Sequence, residues 1–361
     1  MTDAGDIFLV APPGLEQFLF EEVQQLGFKN PVQETGGVSI SGDLGTVAKA
    51  NHMLRGATRV LLRIASFRVM HLAQLDKRAR KVEWAEWLRP DVDVSVETVC
   101  RKSKIYHSKA ATQRIAQAIT KTTGTPLKSG ASLVVKARIE DDLCTISLDT
   151  SGAALHLRGL KGNVGKAPIR ENLAALCLRA SGYSGDETVV DPMCGSGTFV
   201  IEAAEMALGL TPGRTREFAY QHLAKGTAPP RMPQARDTDQ KFFGFDRDAG
   251  AISGAKKNAE ITGVTDNATF AQQALSDLQP PDTAPGLVMI NPPYGTRVGD
   301  RKTLFALYGT FGNVMRDRFT GWRVGMVTSD PGLAKACGLN WDKPILFDNG
   351  GITVGLYRTK V

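Results

Sequence analysis

The chain has 361 residues, 42% of them hydrophobic, and a formal charge of +7 from 44 Lys+Arg against 37 Asp+Glu. That length suits two domains, each large enough for its own core. No run approaches ~18 consecutive apolar residues, so a membrane span is not expected. The acidic start Met1–Asp6 lacks the basic and apolar regions of a signal peptide. Five cysteines (100, 144, 177, 194, 337) form no C-x-x-C pair, which fits reduced thiols in the cytoplasm. The five histidines show no ligand spacing, so no metal site is expected.

In chain order, Ile7–Val10 reads as a strand, Pro13 opens a helix running to Gly27, and Gly36–Ile40 is a second strand. A helix follows near Leu44–Leu54. Thr58–Val69 is strand-like, with Arg59, Arg63 and Arg68 interleaved. Trp84, Trp87 and Leu88 recur at helical spacing and read as core. Val92–Val99 alternates with period two, the pattern of a half-buried strand. Lys102, Lys104, Lys109 and Arg114 flank the start of a helix reaching Ile119 and form the best phosphate-contacting surface; Arg59 and Arg63 are further candidates. Strands around Leu133–Ile139 and Cys144–Leu148 close this α+β region. Its end falls between Asp149 and Lys166, dividing the chain into residues 1–157 and 158–361. From Lys49 to Arg138 there are 19 Lys+Arg against 6 Asp+Glu, whereas the remainder holds 25 basic and 31 acidic residues. A basic module on a slightly acidic one is the footprint of a phosphate-binding domain. A membrane surface is the other polyanion, but no long amphipathic helix with a large apolar face is evident.

The second half carries the chemistry. Thr188–Asp191 reads as a buried strand, followed by the turn Pro192–Gly197 and a helix opening at Thr198. Two glycines let the backbone approach a ligand, and the helix start offers free N–H groups. Only G-x-G is present, not G-x-G-x-x-G, so a pyrophosphate grip is poorly supported. Asp191 suits the amino group of a ligand such as S-adenosylmethionine. Phe242–Asp246 is another strand, and an acid at its tip can accept both ribose hydroxyls. The Pro-, Arg- and Gly-rich stretch Thr211–Gln240 reads as an insertion that helps cover the site. Leu287–Ile290 is a further buried strand, and Asn291-Pro292-Pro293-Tyr294 lies at its C-terminal edge. The Asn291 side-chain carbonyl and the Pro292 carbonyl give two acceptors suited to an exocyclic NH2, and Tyr294 gives a flat face for the base bearing it. Cys194 reads as a small loop residue, because this tetrapeptide argues for methylation at nitrogen rather than at a pyrimidine carbon.

Asp191-Pro192-Met193-Cys194-Gly195-Ser196-Gly197-Thr198 and Asn291-Pro292-Pro293-Tyr294-Gly295-Thr296-Arg297-Val298-Gly299 resemble motifs of class I RNA methyltransferases carrying a THUMP domain, in the guanine-N2 branch acting on 23S ribosomal RNA or tRNA. The segments Leu157–Leu160, Gly165–Glu171 and Gly321–Thr328 are similar to that family, and Ala57–Val60 with Lys102–Ser108 resembles the THUMP module. The resemblance implies a C-terminal Rossmann-like α/β catalytic domain and an N-terminal α+β region, ferredoxin-like and THUMP-type. It implies S-adenosyl-L-methionine as cofactor, held by Asp191, Met193, Cys194, Gly195, Ser196, Gly197, Thr198, Asp246 and Asn291. Asn291, Pro292 and Tyr294 would be catalytic. The partner would be RNA, with no membrane and no obligate protein partner.

Two departures stand out. Alanine (Ala274) replaces the acid that relatives place against the adenine, which leaves Asp277 or the backbone near Leu275 for that contact, and Thr296 stands where Glu is frequent. The C-terminal motifs favour ribosomal RNA over tRNA. Adenine-N6 methylation suits the same two acceptors. Protein glutamine methylation also uses Asn-Pro-Pro-Tyr, but the basic N-terminal module argues for nucleic acid. A non-catalytic RNA-binding relic is hard to reconcile with an intact set of Asp191, Gly195, Gly197, Asp246 and Asn291.

Overall fold

A computed structural model describes residues 5–160, 162, 169–294 and 301–361. The motif residues 163–168 and 295–299, Thr296 among them, therefore lie outside the described residues. The chain forms two compact units. One comprises the residues up to Ala11, Phe20–Leu155 and Arg216–Arg231; the other comprises Pro12–Leu19, His156–Thr215 and Met232–Val361.

Up to residue 149 the elements run β1 (Gly5–Val10), α1 (Glu16–Gln25, divided between the two units at Phe20), β2 (Val32–Glu34), β3 (Gly37–Gly42), α2 (Leu44–Met53), β4 (Arg59–Arg68), α3 (Leu72–Ala79), β5 (Val94–Arg101), α4 (Ser108–Thr123), β6 (Leu133–Glu140) and β7 (Leu143–Asp149). The strands form one seven-stranded sheet in the order β2-β3-β1-β4-β7-β6-β5. Neighbours are antiparallel except β5 and β6, which run parallel with α4 between them in sequence. Alternation sets the buried face, since Leu133, Val135, Ala137 and Ile139 are all buried at period two. α1 begins at Glu16 rather than Pro13, because Gly14 sits at φ +95° in the left-handed region and its N–H is taken by the Glu16 carboxylate. Trp84 and Leu88 are core, as expected, and the Trp84 indole donates to the Ala79 carbonyl at 2.8 Å. Trp87 is only half-buried, with the Lys225 ammonium over its ring.

The insertion Thr211–Gln240 is divided between the two units. Its middle, Arg216–Arg231, belongs to the first unit. Tyr220 is fully buried there. Its amide donates to Thr150 at 3.0 Å, and its hydroxyl lies 3.1 Å from His52 Nε2. The Arg216 guanidinium donates to the carbonyls of Ala153 and Ala154 and lies over the Phe218 ring. A buried tyrosine, a buried phenylalanine and a bonded arginine hold this stretch by tertiary contact, although it has almost no regular structure of its own.

The second unit runs α5 (Glu171–Ala180), β8 (Val189–Asp191), α6 (Thr198–Ala207), β9 (Phe242–Asp246), α7 (Ala249–Thr262), β10 (Ala268–Gln272), β11 (Leu287–Ile290), α8 (Arg301–Arg318), β12 (Arg323–Thr328), α9 (Pro331–Ala336), β13 (Ile345–Asn349) and β14 (Ile352–Lys360). Its sheet has the order β10-β9-β8-β11-β12-β14-β13, parallel throughout except at β14. Every residue of β8 and β11 is buried, which is why both read as unbroken apolar runs. From β8 the chain winds outward through β9 to β10, then returns to the other side of β8 at β11. The strand order reverses at β8, and such a reversal opens a crevice at the carboxyl ends of the strands. Among the described residues, no helix is long and apolar enough to cross a membrane.

Helices α8 and α9 meet closely. A Cβ added at Gly312 would lie 1.7 Å from the Cys337 carbonyl oxygen. Gly312→Ala is therefore expected to lower the thermal unfolding midpoint, at a cost of about 1–3 kcal/mol from forced separation of the two helices. An unchanged midpoint would contradict this close approach.

Candidate active site

Three strand ends meet at the reversal point: Asp191 closes β8, Asp246 closes β9, and Asn291 follows β11. Asp191 is buried and accepts the Met193 amide at 3.0 Å. Burial pushes its carboxyl well above the usual carboxylate range, the Met193 amide works against that, and the charge of Asp246 adds to it. Such a group welcomes a cation. Asp246 accepts the Gly195 amide through Oδ2 at 3.0 Å and the Asp248 amide through Oδ1 at 2.9 Å. Each of its oxygens keeps a second lone pair, enough to receive a pair of hydroxyls.

The glycine turn joins these two acids. Cys194 N–H donates to the Phe245 carbonyl at 2.9 Å, so the turn is tied to the end of β9. Gly195 and Gly197 sit at φ +52° and +84°, where side-chain-bearing residues are strained. At Gly195 a Cβ would meet nothing within 4 Å, so the turn presents bare backbone to open space beside two carboxylates. At Gly197 a Cβ would come within 2.9 Å of the Phe270 ring, so a side chain is excluded by packing as well as by φ. Asn258, fully buried on α7, donates to the Ser196 carbonyl at 3.0 Å and holds the turn from behind. Helix α6 then opens at Thr198, with no side-chain cap at Gly197. Burial, with the charges of Asp191 and Asp246, pushes the Cys194 thiol up, so it is not a thiolate nucleophile.

The segment after β11 is clamped twice. On α8, the Tyr308 hydroxyl donates to the Pro293 carbonyl at 3.3 Å and lies 3.2 Å from the Thr328 hydroxyl. On β13, the Asn349 amide donates to the Tyr294 hydroxyl at 3.4 Å. The Tyr294 ring is half-buried and packs on the cluster formed by Val190, Ile290, Tyr308 and their neighbours. Burial raises the Tyr294 phenol, the Asn349 bond opposing, so it stays an uncharged aromatic face. Asn291 is half-buried and Pro292 buried. Tyr308, Asn349 and Asn258 were not singled out by sequence reading. They lie 15, 55 and 62 residues from their partners, and no local pattern marks such pairings. Asp277 is exposed, with its carboxylate 3.2 Å from the Ser276 hydroxyl. The described residues contain no group of three His, Cys, Asp or Glu placed to hold a metal ion.

In the other unit the basic candidates divide. Arg59 pairs with the fully buried Asp149 and also donates to the Gly152 carbonyl. Arg63 bonds Asp6 and Glu34, each at 3.0 Å, and its guanidinium covers the Phe8 ring. Both arginines pair with carboxylates of their own sheet and keep part of their side chains exposed. Lys102, Lys104, Lys109 and Arg114 are exposed.

Comparison with known proteins settles the family. Residues 158–353 match the RMKL-like methyltransferase domain, residues 6–61 the RlmL ferredoxin-like domain and residues 71–149 the THUMP domain. The chain belongs to the THUMP-bearing, RlmL-like family of S-adenosylmethionine-dependent RNA methyltransferases. It is 34% identical over 370 residues to the ribosomal RNA large subunit methyltransferase K/L of Syntrophotalea carbinolica, with 96% of this chain and 52% of that protein aligned. The corresponding protein of Psychromonas ingrahamii is 32% identical, over 98% of this chain and 50% of that protein. The chain thus spans about half the length of these two relatives. Among solved structures, the methyltransferase SMU.472 complexed with SAH superposes with a TM-score of 0.87 at 26% identity, covering 100% and 99% of the two chains. A Listeria monocytogenes protein described as an N6-adenine-specific DNA methylase gives 0.85 at 30% identity, covering 99% and 96%.

The turn suits this cofactor: Asp191 for a positive charge, Asp246 for hydroxyls, and uncluttered backbone at Gly195 between them. Asp191 must be ionised to face a cation, and burial raises its pKa. Cofactor affinity is therefore expected to hold above that raised pKa and to fall as pH drops through it, starting at higher pH than for an ordinary aspartate. In Asp191→Asn the affinity should be weak and flat across the same window; a titration of SAH binding against pH reads both. Tyr308→Phe, which frees the Pro293 carbonyl, is expected to lower turnover roughly tenfold through misplacement of the loop. SAH affinity should stay unchanged, and a parallel loss of both would show that Tyr308 acts only on stability.

Proposed function

We propose that this protein transfers a methyl group to the exocyclic N2 amine of a guanine in large-subunit ribosomal RNA. The observation that carries this reading is Asn291-Pro292-Pro293-Tyr294 at the strand-order reversal, clamped by Tyr308 and Asn349 and facing the glycine turn's end of the sheet. Residues 158–361 would carry the reaction, and residues 1–157 would grip the RNA. The names of the K/L relatives support the RNA class, and the basic Lys49–Arg138 stretch supports a polyanion.

S-adenosylmethionine, when bound, supplies an electrophilic methyl group. Asp191 would face its ammonium and Asp246 its ribose, with the backbone of Met193–Thr198 beneath and Asp277 toward the adenine. The guanine amine is a weak nucleophile because its lone pair is delocalised into the ring. Asn291 Oδ1 and the Pro292 carbonyl would accept its two hydrogens, raise electron density on nitrogen and stabilise the positive charge that grows there during attack. The proton becomes acidic only after transfer, so solvent can take it and no strong base is required. Tyr294 would offer its exposed edge and face to the base, which has to leave its helix or come from an unpaired region.

Adenine N6 is the second reading, because its amine fits the same two acceptors and the Listeria relative carries that description. Labelled S-adenosylmethionine with ribosomal RNA and tRNA from cells lacking this gene, followed by nucleoside identification, separates the two. Label in N2-methylguanosine of the ribosomal fraction is the expected result. Label in N6-methyladenosine would retain the site and overturn the base, and label confined to tRNA would overturn the substrate.

A further inference from the structure

We propose that Tyr106 is a stacking platform for an unpaired RNA base, so that the first unit recognises single-stranded or looped RNA in preference to duplex. This rests on the reading that the unit binds RNA and adds which form it takes. Tyr106 is 73% exposed, the largest fraction among the exposed large hydrophobic side chains of the described residues. Its ring lies 4.1 Å from that of His107 at a 43° tilt, so two aromatic rings stand together at the surface.

The surroundings are basic. Residues 101–114 hold Arg101, Lys102, Lys104, Lys109 and Arg114 with no acid, and all five are exposed. Lys104 reaches across to Met70, its ammonium 3.7 Å from the sulfur, which adds the exposed end of that side chain to the patch. Cations alone follow a phosphate backbone and do not distinguish single strands from duplex. An exposed ring among them does, because only an unpaired base can leave its stack and lie on it.

The loop is also held in place. Lys104 N–H donates to the Asp142 carboxylate at 2.8 Å, Asp142 N–H donates to the Ser103 hydroxyl at 3.1 Å, and that hydroxyl donates to the Arg101 carbonyl at 2.8 Å. Asp142 also accepts the Val69 amide at 2.7 Å through its carbonyl, tying the turn to the end of β4. Ile105 is buried directly before Tyr106, so the backbone is anchored on the inner side while the ring projects outward. Binding therefore orders little protein, and the platform is formed in advance. The α4 helix begins at Ser108 with no side-chain cap, which adds free N–H groups beside the lysines for a phosphate.

The test uses the full chain and three fluorescent RNAs of equal length: an unstructured strand, a hairpin with an unpaired loop, and a blunt duplex. Tyr106→Ala is expected to weaken binding of the strand and the hairpin about tenfold, with the duplex changed less than about twofold. Tyr106→Phe, which keeps the ring, should restore wild-type affinity. Lys102→Ala with Lys104→Ala should weaken all three RNAs together and flatten the salt dependence. Equal weakening by Tyr106→Ala for all three RNAs, or none for any, would overturn the platform while leaving RNA binding intact. Failure of the wild-type protein to bind any of them would overturn the RNA reading itself.

Discussion

A carboxylate at the end of a wholly buried strand is the constraint on which the site depends. Asp191 has too little exposure to solvent to make its charge cheap, and burial raises its pKa accordingly. It is held there because β8 lies between β9 and β11 in the middle of a parallel sheet, where both faces are covered. A fold of this kind keeps a costly acid only where something offsets the cost. The open backbone at Gly195 and the second acid at Asp246 mark where that cation-bearing ligand would lie. Moving either flanking strand by one residue would separate the acids from the turn, so register and site are one property.

The acceptor side is organised by the opposite logic. Asn291–Tyr294 has left the ladder, and prolines remove the amide donors that would otherwise repair it. Its geometry is supplied from outside by two clamps, the Tyr308 hydroxyl on the Pro293 carbonyl and the Asn349 amide on the Tyr294 phenol. Both clamps come from elements later in the chain, α8 and β13, so the last part of the sheet positions a loop that began after β11. Tyr308 is buried and itself bonded to Thr328, which restricts the direction in which its hydroxyl can point. In the proposed transfer to a weak nitrogen nucleophile, a rigid acceptor pair would supply the alignment that the reaction needs.

Much of this was legible from residues alone. Val189–Asp191, Phe242–Asp246 and Leu287–Ile290 are short apolar runs bounded by proline, glycine or acid, and such runs are strands when both faces are buried. Helix α7 is opened by Asp248, whose carboxylate accepts the amides of Gly250 and Ala251. The elements that escaped notice have weak local signals. β2 is three residues long and mostly exposed, and α5 is so uniformly buried that it has no polar face to set a period. The insertion was legible as irregular, but not as part of the first unit. That depends on Tyr220 meeting His52, 168 residues away, and no window of sequence contains both. Sequence likewise shows the charge of Arg59 and Arg63 but not the carboxylates across the sheet that pair with them.

The two units use the same chemistry at different depths. In the first, cations stand at the surface around one exposed aromatic pair. In the second, anions are sunk at strand ends around bare backbone. A polyanion with an extrudable base matches the first, and a cationic methyl donor matches the second.

The claim at the centre is that Asn291 serves the transfer step far more than it serves cofactor binding. Single-turnover methylation by Asn291→Ala, with SAH affinity measured on the same preparation, tests it most directly. The account predicts a rate lowered by about 10²-fold or more, the scale set by loss of one preorganised transition-state contact, with affinity nearly unchanged. A matched fall in rate and affinity, or a rate close to wild type, would contradict it.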